Sequence, residues 1–298
     1  MKRTGYTALI LRILEFWQII QCRHFGYSRN EQNSWHNYSQ SCSGYRQSPI
    51  AIDSEKAISL AIPALEMVGF DNLVPRPITI FNNGHSVDIR PMVPFAKIFG
   101  ALLPGEFEVH GLHFHWGKKN NRGSEHVING MRFAMEMHIV TRNLKYNSME
   151  EAMENSDGLA VMAFFFEVRE HESNGLDPIL NELNMIKHEG TSFMISQSFT
   201  LSSLLPFDKT MFYMYRGSLT TPPCSEAVTW IVFPDPQPMS YKQISQFRQL
   251  SINGDSLVDN YRHIQSLGKR KVYARRFPTE TANLKMFFPN FSSPEFWN

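Results

Sequence analysis

The 298-residue sequence predicts one predominantly β domain with short peripheral helices, and three observations carry that reading. Apolar runs have strand length: Val161-Met162-Ala163-Phe164-Phe165-Phe166-Glu167-Val168 reads as a central strand. Alternation has period two: Met131, Phe133, Met135, Met137 and Ile139 interleave with Arg132, Ala134, Glu136, His138 and Val140, so Glu136 and His138 share the face opposite the methionines. Proline clusters, Pro75-Arg76-Pro77 and Pro234-Asp235-Pro236, read as loops between such runs. Two segments read as short helices. Pro178 to Lys187 carries Leu180, Leu183 and Ile186 at three-residue spacing, and Tyr241 to Leu250 is the second.

Charge narrows the partners. Lys and Arg number 29 against 28 Asp and Glu, so neither nucleic acid nor an acidic membrane surface is implied. The start is basic and then apolar: Met1-Lys2-Arg3, followed by Ala8 to Ile20. It reads as a signal peptide over 1–22, interrupted by Arg12 and Glu15, whose removal near Cys22 would dispose of an odd thiol. Asn37-Tyr38-Ser39 and Asn290-Phe291-Ser292 are glycosylation acceptors. No hydrophobic run long enough for a membrane span or lipid-anchor signal follows Phe277, so 278–298 reads as a C-terminal tail. The expected location is secreted, with the cytoplasm as the alternative.

The chemistry is concentrated in histidines. His113 and His115 are two apart on a strand and point the same way; His138 stands on a second strand beside Glu136. Three neutral imidazoles with an open fourth position describe a catalytic zinc site, whereas a structural site is normally closed by a fourth protein ligand. On its own, a His-x-His pair is more often ordinary strand packing; the third histidine weighs towards metal only if the two strands are neighbours. Iron or manganese sites built on His-x-His place their glutamate a few residues on. Glu125 stands farther from His115 than that and fits a separate loop.

Other segments surround the triad: Gln47-Ser48-Pro49-Ile50, Asn82-Asn83-Gly84-His85, Gly123-Ser124-Glu125-His126, Gly217-Ser218-Leu219-Thr220-Thr221-Pro222-Pro223-Cys224, Val228-Thr229-Trp230 and Val258-Asp259-Asn260-Tyr261-Arg262. With these the chain resembles an α-class carbonic anhydrase from about Phe25 to about Phe277, which sets the expected catalytic domain at 23–277. The resemblance implies an α+β roll on a large twisted, mostly antiparallel sheet. It implies one zinc ion held by His113, His115 and His138, and reversible hydration of carbon dioxide to bicarbonate by zinc-hydroxide attack. Zinc-bound water has a pKa near 7 in such enzymes.

Site roles follow from the resemblance residue by residue. Thr220 and Glu125 match the relay that orients the nucleophile, and Thr221 faces substrate. Val140, Val161, Leu219, Val228 and Trp230 match the apolar wall for carbon dioxide. His85 matches the proton shuttle, whose ordinary pKa of about 6.5 suits a donor near 7; Tyr27 and Asn83 match residues that order its water chain. Glu136 matches the carboxylate that holds His138, with His126 and Tyr215 as buried polar neighbours. Arg262 matches a framework arginine. Cys42 and Cys224 match the disulfide of secreted and membrane-facing members; bridging a span of 182 residues (224 − 42) is worth up to about 5 kcal/mol in a chain-entropy model.

Two positions depart from the pattern. Gly111 stands where a glutamine often supports the first ligand, so a ten- to hundredfold loss in metal affinity or activity, roughly, is the expected ceiling, and introducing glutamine is the obvious test. Asp88 puts a charge at a rim position where asparagine is common. The alternative function is a non-catalytic binding module of the same fold; such relatives usually lack one or more metal histidines, and here all three are present with Thr220, Glu125 and His85.

Overall fold

The structure, a computed structural model, describes residues 25–276. The signal-peptide reading over 1–22, Cys22, the tail over 278–298 and Asn290 lie outside the described residues. In chain order the strands are β1 (Ala51–Ile52), β2 (Ile58–Leu60), β3 (Leu65–Val68), β4 (Ile78–Asn82), β5 (Val87–Pro91), β6 (Lys97–Gly100), β7 (Phe107–Trp116), β8 (Val127–Ile128), β9 (Met135–Asn143), β10 (Leu159–Val168), β11 (Ser192–Met194), β12 (Tyr213–Gly217), β13 (Val228–Met239), β14 (Ser251–Ile252), β15 (Asp255–Ser256) and β16 (Tyr273–Arg275). Twelve form one twisted mixed sheet ordered β11-β4-β5-β7-β9-β10-β13-β12-β16-β2, with β6 also paired to β7 and β3 paired to β6. β10–β13 and β16–β2 are parallel and the other pairs of this sheet antiparallel, so the mainly antiparallel expectation holds.

The central strands are buried on both faces, which is why they read as apolar runs rather than as alternation. On β10, Ala160, Met162, Phe164 and Phe166 enter the larger core, while Leu159, Val161, Ala163 and Phe165 enter the smaller one. Helical residues Ile179, Leu183, Ile186, Ile244 and Phe247 cover the first face. The second face keeps room for polar chemistry: Glu136 and His138 emerge there, while Met135, Met137 and Ile139 go to the larger core. Each fully buried Met or Phe contributes about 1.5–3 kcal/mol by the area it removes from water.

Four local readings differ. The strand read from Met131 begins only at Met135, and Met131 is 61% exposed. Asn129 (φ 49°) and Gly130 (φ 80°) make a two-residue turn that pairs Ile128 with Met131, so the alternation counted from Met131 crosses a turn. Phe133 accordingly packs in the smaller core, opposite to Met135. Pro234-Asp235-Pro236 is not a loop but lies within β13, where the register with β10 jumps from Phe164↔Phe233 to Phe166↔Gln237. At a bulge the missing proline N–H groups cost no ladder bonds. Pro178 to Lys187 splits into an α-helix, Asp177–Leu180, and a 3₁₀ turn, Leu183–Ile186. Strict three-residue spacing is the 3₁₀ period, and Leu180, Leu183 and Ile186 are all buried. The last helix spans Tyr241–Phe247, opened by a Ser240–Gln243 capping box, and stops short of Leu250 because the Gln249 and Leu250 N–H groups bond carbonyls three residues back.

Candidate functional site

β7 and β9 are neighbours, and their register places His113 directly opposite His138 and His115 opposite Glu136. Opposed residues share a face, so the three histidines converge. Their ring centroids lie 5.0 Å (His113–His115), 5.1 Å (His113–His138) and 4.7 Å (His115–His138) apart, and one nitrogen from each falls within 4.8 Å of the others.

The hydrogen bonds fix which nitrogen faces inward. His115 Nδ1–H donates to the Asn260 carbonyl at 2.7 Å, which leaves its Nε2 with a lone pair. His138 Nε2–H donates to Glu136 Oε1 at 2.6 Å, which leaves Nδ1 with a lone pair, 3.2 Å from His113 Nε2. Among the described residues buried His115 Nε2 has no hydrogen-bond partner, nor has buried Glu125 Oε2, and the two acceptors lie 3.5 Å apart. Converging lone pairs without donors fit a cation, and three imidazoles with no thiolate suit zinc. Burial, and then the neighbouring imidazoles and Arg90, hold His113 well below the ordinary histidine value; burial also lowers His115, outweighing the pull of Glu125. Both are thereby kept neutral, the form that ligates a metal.

Glu136 is fully buried and all its acceptor positions are used. Oε2 accepts the backbone N–H groups of Glu125 and His126, each at 2.8 Å, and Oε1 accepts His126 Nδ1–H at 2.7 Å besides His138. Burial alone would push this carboxyl up. Electrostatic attraction to the N–H groups of His126 and His138, and the hydrogen bonds those groups donate, outweigh it and hold Glu136 well below the usual carboxylate range. His126 Nε2 lies 2.7 Å from the Tyr215 hydroxyl, which is 2.9 Å from Ser48 Oγ. Burial raises the Tyr215 phenol, so it stays protonated.

Glu125 Oε1 accepts the Arg262 backbone N–H at 2.7 Å. Thr220 is buried in the turn after β12, but no hydrogen bond joins its hydroxyl to Glu125 among the described residues. The Arg262 guanidinium donates to Gln47 Oε1 and to the carbonyls of Ser48 and Cys42; burial pushes it down to about 10, so it remains a cation. Cys42 and Cys224 form a disulfide, which ties this region to the Thr220 turn.

A cavity of about 680 Å³ opens over the histidines, lined by His113, His115, Val140, Leu219, Thr221 and His85 among others. Asn83 and Tyr27 line it too. Val161, Val228 and Trp230 lie behind its wall, in the apolar cluster against which Val140 and Leu219 pack. Trp230 stacks edge-on to His138 at 4.8 Å. His85 lies flat on Phe25, centroids 3.7 Å apart, in a turn where Asn83 Oδ1 accepts the N–H groups of His85 and Ser86.

The two departures are coupled in space. At Gly111 a Cβ would lie 2.8 Å from the Ile89 carbonyl oxygen, so β5 approaches β7 more closely here than a side chain would allow without a shift. A glutamine here is no neutral probe of the missing amide, because it must first displace backbone. Asp88 is not a free rim charge: it is buried and forked by Arg90, Nε to Oδ1 at 3.1 Å and Nη2 to Oδ2 at 2.9 Å.

Several site residues escaped sequence reasoning. Asn260 holds His115 with its carbonyl, the Trp116 N–H with its side-chain oxygen, and the His85 carbonyl with its amide. It stood inside the Val258–Arg262 segment, but nothing in one sequence marks a backbone carbonyl as a partner. Met149 and Met153 line the cavity from a short helix whose spacing resembles any surface helix.

Comparison with known proteins agrees with the geometry. The family model for eukaryotic-type carbonic anhydrase matches residues 30–276. Carbonic anhydrase 7 of Mus musculus and of Homo sapiens are each 36% identical over 259 residues, covering 84% of this chain and 96% of theirs. Carbonic anhydrase 15 of Mus musculus is 34% identical over 253 residues, 80% of this chain and 78% of its own.

Proposed function

The chain belongs to the eukaryotic-type carbonic anhydrase family, and from that premise we propose that it is an active zinc enzyme interconverting carbon dioxide with bicarbonate and a proton. The observation that carries this reading is the set of inward lone pairs on His115 and His138, each fixed by an outer hydrogen bond. Bound zinc supplies acidification of a water molecule to a pKa near 7, the value known for enzymes of this family.

The residues divide the remaining work. His113, His115 and His138 hold the ion as neutral donors, leaving its charge intact. Glu125, whose Oε1 is taken by the Arg262 backbone N–H, keeps Oε2 as an acceptor on the inner side, where the Thr220 hydroxyl is the partner that completes an orienting relay. Val140 and Leu219, backed by Val161, Val228 and Trp230, offer an uncharged linear molecule an apolar wall, and Thr221 presents a hydroxyl on the same cavity. His85, which lines the same cavity, receives the proton and passes it to buffer. The disulfide and the exposed Asn37 support a secreted protein.

Stopped-flow carbon dioxide hydration, paired with metal analysis and repeated after chelation, tests the proposal. Zinc-dependent acceleration is expected. A zinc-loaded protein no faster than buffer would instead identify a binding module on this fold.

A further inference from the structure

Two of the three histidines have their outer nitrogens tied to protein, His115 to Asn260 and His138 to Glu136. His113 Nδ1 has no protein hydrogen bond among the described residues, and its ring is partly exposed to the cavity. A ligand ring without an outer bond must be held by what packs around it. Across β5–β7 the residue opposite His113 is Asp88, on the same face and therefore with Cβ atoms about 5 Å apart. The Asp88 carboxylate is locked by the two-pronged Arg90 fork. Arg90 is held in turn: its guanidinium sits 5.3 Å from the Phe81 ring centroid, and its Cγ lies 3.3 Å from where a Gly111 Cβ would be. The arginine stem thus occupies the space that a side chain at 111 would take.

We propose that the Asp88–Arg90 pair, laid across Gly111, is the positioning element for His113. It does by packing what Asn260 and Glu136 do by hydrogen bonds for the other two rings. Neither residue touches the reacting atoms; they limit the swing of the ring. Gly111 then belongs to the device, because only a residue without a Cβ admits both the Ile89 carbonyl and the arginine stem.

This inference rests on the triad being a zinc site, so its test reads metal rather than turnover. Zinc affinity is measured by competition with a chromogenic chelator, and the visible spectrum of the cobalt(II)-substituted protein reports ligand geometry. Asp88→Asn is nearly isosteric and leaves one acceptor where the fork needs two. It is expected to weaken zinc about tenfold and to shift the cobalt bands, within the range typical of lost ligand supports. Arg90→Ala is expected to do the same, and the double variant no more than the stronger single, because the pair acts as a unit. Arg90→Lys keeps the charge without the fork and is expected to fall with Arg90→Ala. Zinc affinity within twofold of the parent and unchanged cobalt bands in Asp88→Asn would overturn the proposal; so would full recovery in Arg90→Lys, which would mean that charge alone matters. If the parent itself binds no zinc, the proposed function falls first and this inference with it.

Discussion

Replacing Glu136 with glutamine removes one charge and changes almost no volume, yet it is expected to be among the most damaging single changes in the domain. The carboxylate accepts four hydrogen bonds from four donors, two on each oxygen. A glutamine has one oxygen and one NH₂ group. Whichever way it turns, its NH₂ group meets two of the four donors, which are left unpaired or, where they are imidazoles, must switch tautomer. Hydrogen bonds to a buried charged acceptor contribute about 1.5–3 kcal/mol each, so losing two costs about 3–6 kcal/mol, against a typical domain stability of about 5–15. The orientation decides the form of the damage. With oxygen towards the backbone, the NH₂ group forces His126 and His138 to present lone pairs. His138 then carries its proton on Nδ1, the inward atom, and cannot ligate metal. With oxygen towards the imidazoles, the tautomers survive but the Glu125 and His126 N–H groups are orphaned and the Glu125 loop loosens. Urea unfolding of the metal-free protein gives the stability change, and chelator competition gives zinc affinity, which is expected to fall at least tenfold. An unfolding midpoint and a zinc affinity both equal to those of the parent would refute the reasoning, since the network would then not depend on an acceptor-only group.

Acid should destabilise the metal-free protein well above the carboxylate range. His113 and His115 are held below the ordinary 6.5, and His110 is pushed down to about 4 by burial, then by Arg90. Between about 4 and 6.5 the unfolded chain therefore binds more protons than the folded one, so stability is full above 6.5 and falls with pH through that window; a urea midpoint that holds steady or rises from pH 7 to 5 would contradict this. Cys42→Ser with Cys224→Ser should cost about 2–5 kcal/mol, because the bridge closes a separation of 182 residues, and a thermal midpoint unchanged from the oxidised parent would count against it. His85→Ala should slow hydration in dilute buffer and recover with added imidazole, while leaving zinc affinity alone; an unaffected rate in dilute buffer removes His85 from proton export.

The legible parts of this protein are those in which one residue type at one spacing has one use. His113, His115 and His138 announce themselves because imidazoles two apart on a strand share a face, and their convergence needed only β7 and β9 to pair. Central strands such as β10 were legible as apolar runs because both faces are buried. The failures have equally definite causes. The Pro234–Pro236 cluster carries a loop's composition, but a bulge in β13 absorbs it. The alternation counted from Met131 crosses the Asn129-Gly130 turn, a strong hairpin signal that outranks periodicity there.

Gly111 shows most clearly where single-residue reading ends. As a sequence position it is a subtraction, a missing amide beside the first ligand. In the fold it is where the Ile89 carbonyl and the Arg90 stem both arrive, and Asp88, a second apparent departure, holds that arginine in place. The substitutions at 88 and 111 therefore do not act independently, and their effects should not add. If they are one device, then Gly111→Ala in the parent should perturb zinc binding by displacing Ile89 and Arg90. The same change in an Arg90→Ala background should cost less, because one of the two obstructing groups is gone. Equal costs in the two backgrounds would mean that the glycine answers to the Ile89 carbonyl alone.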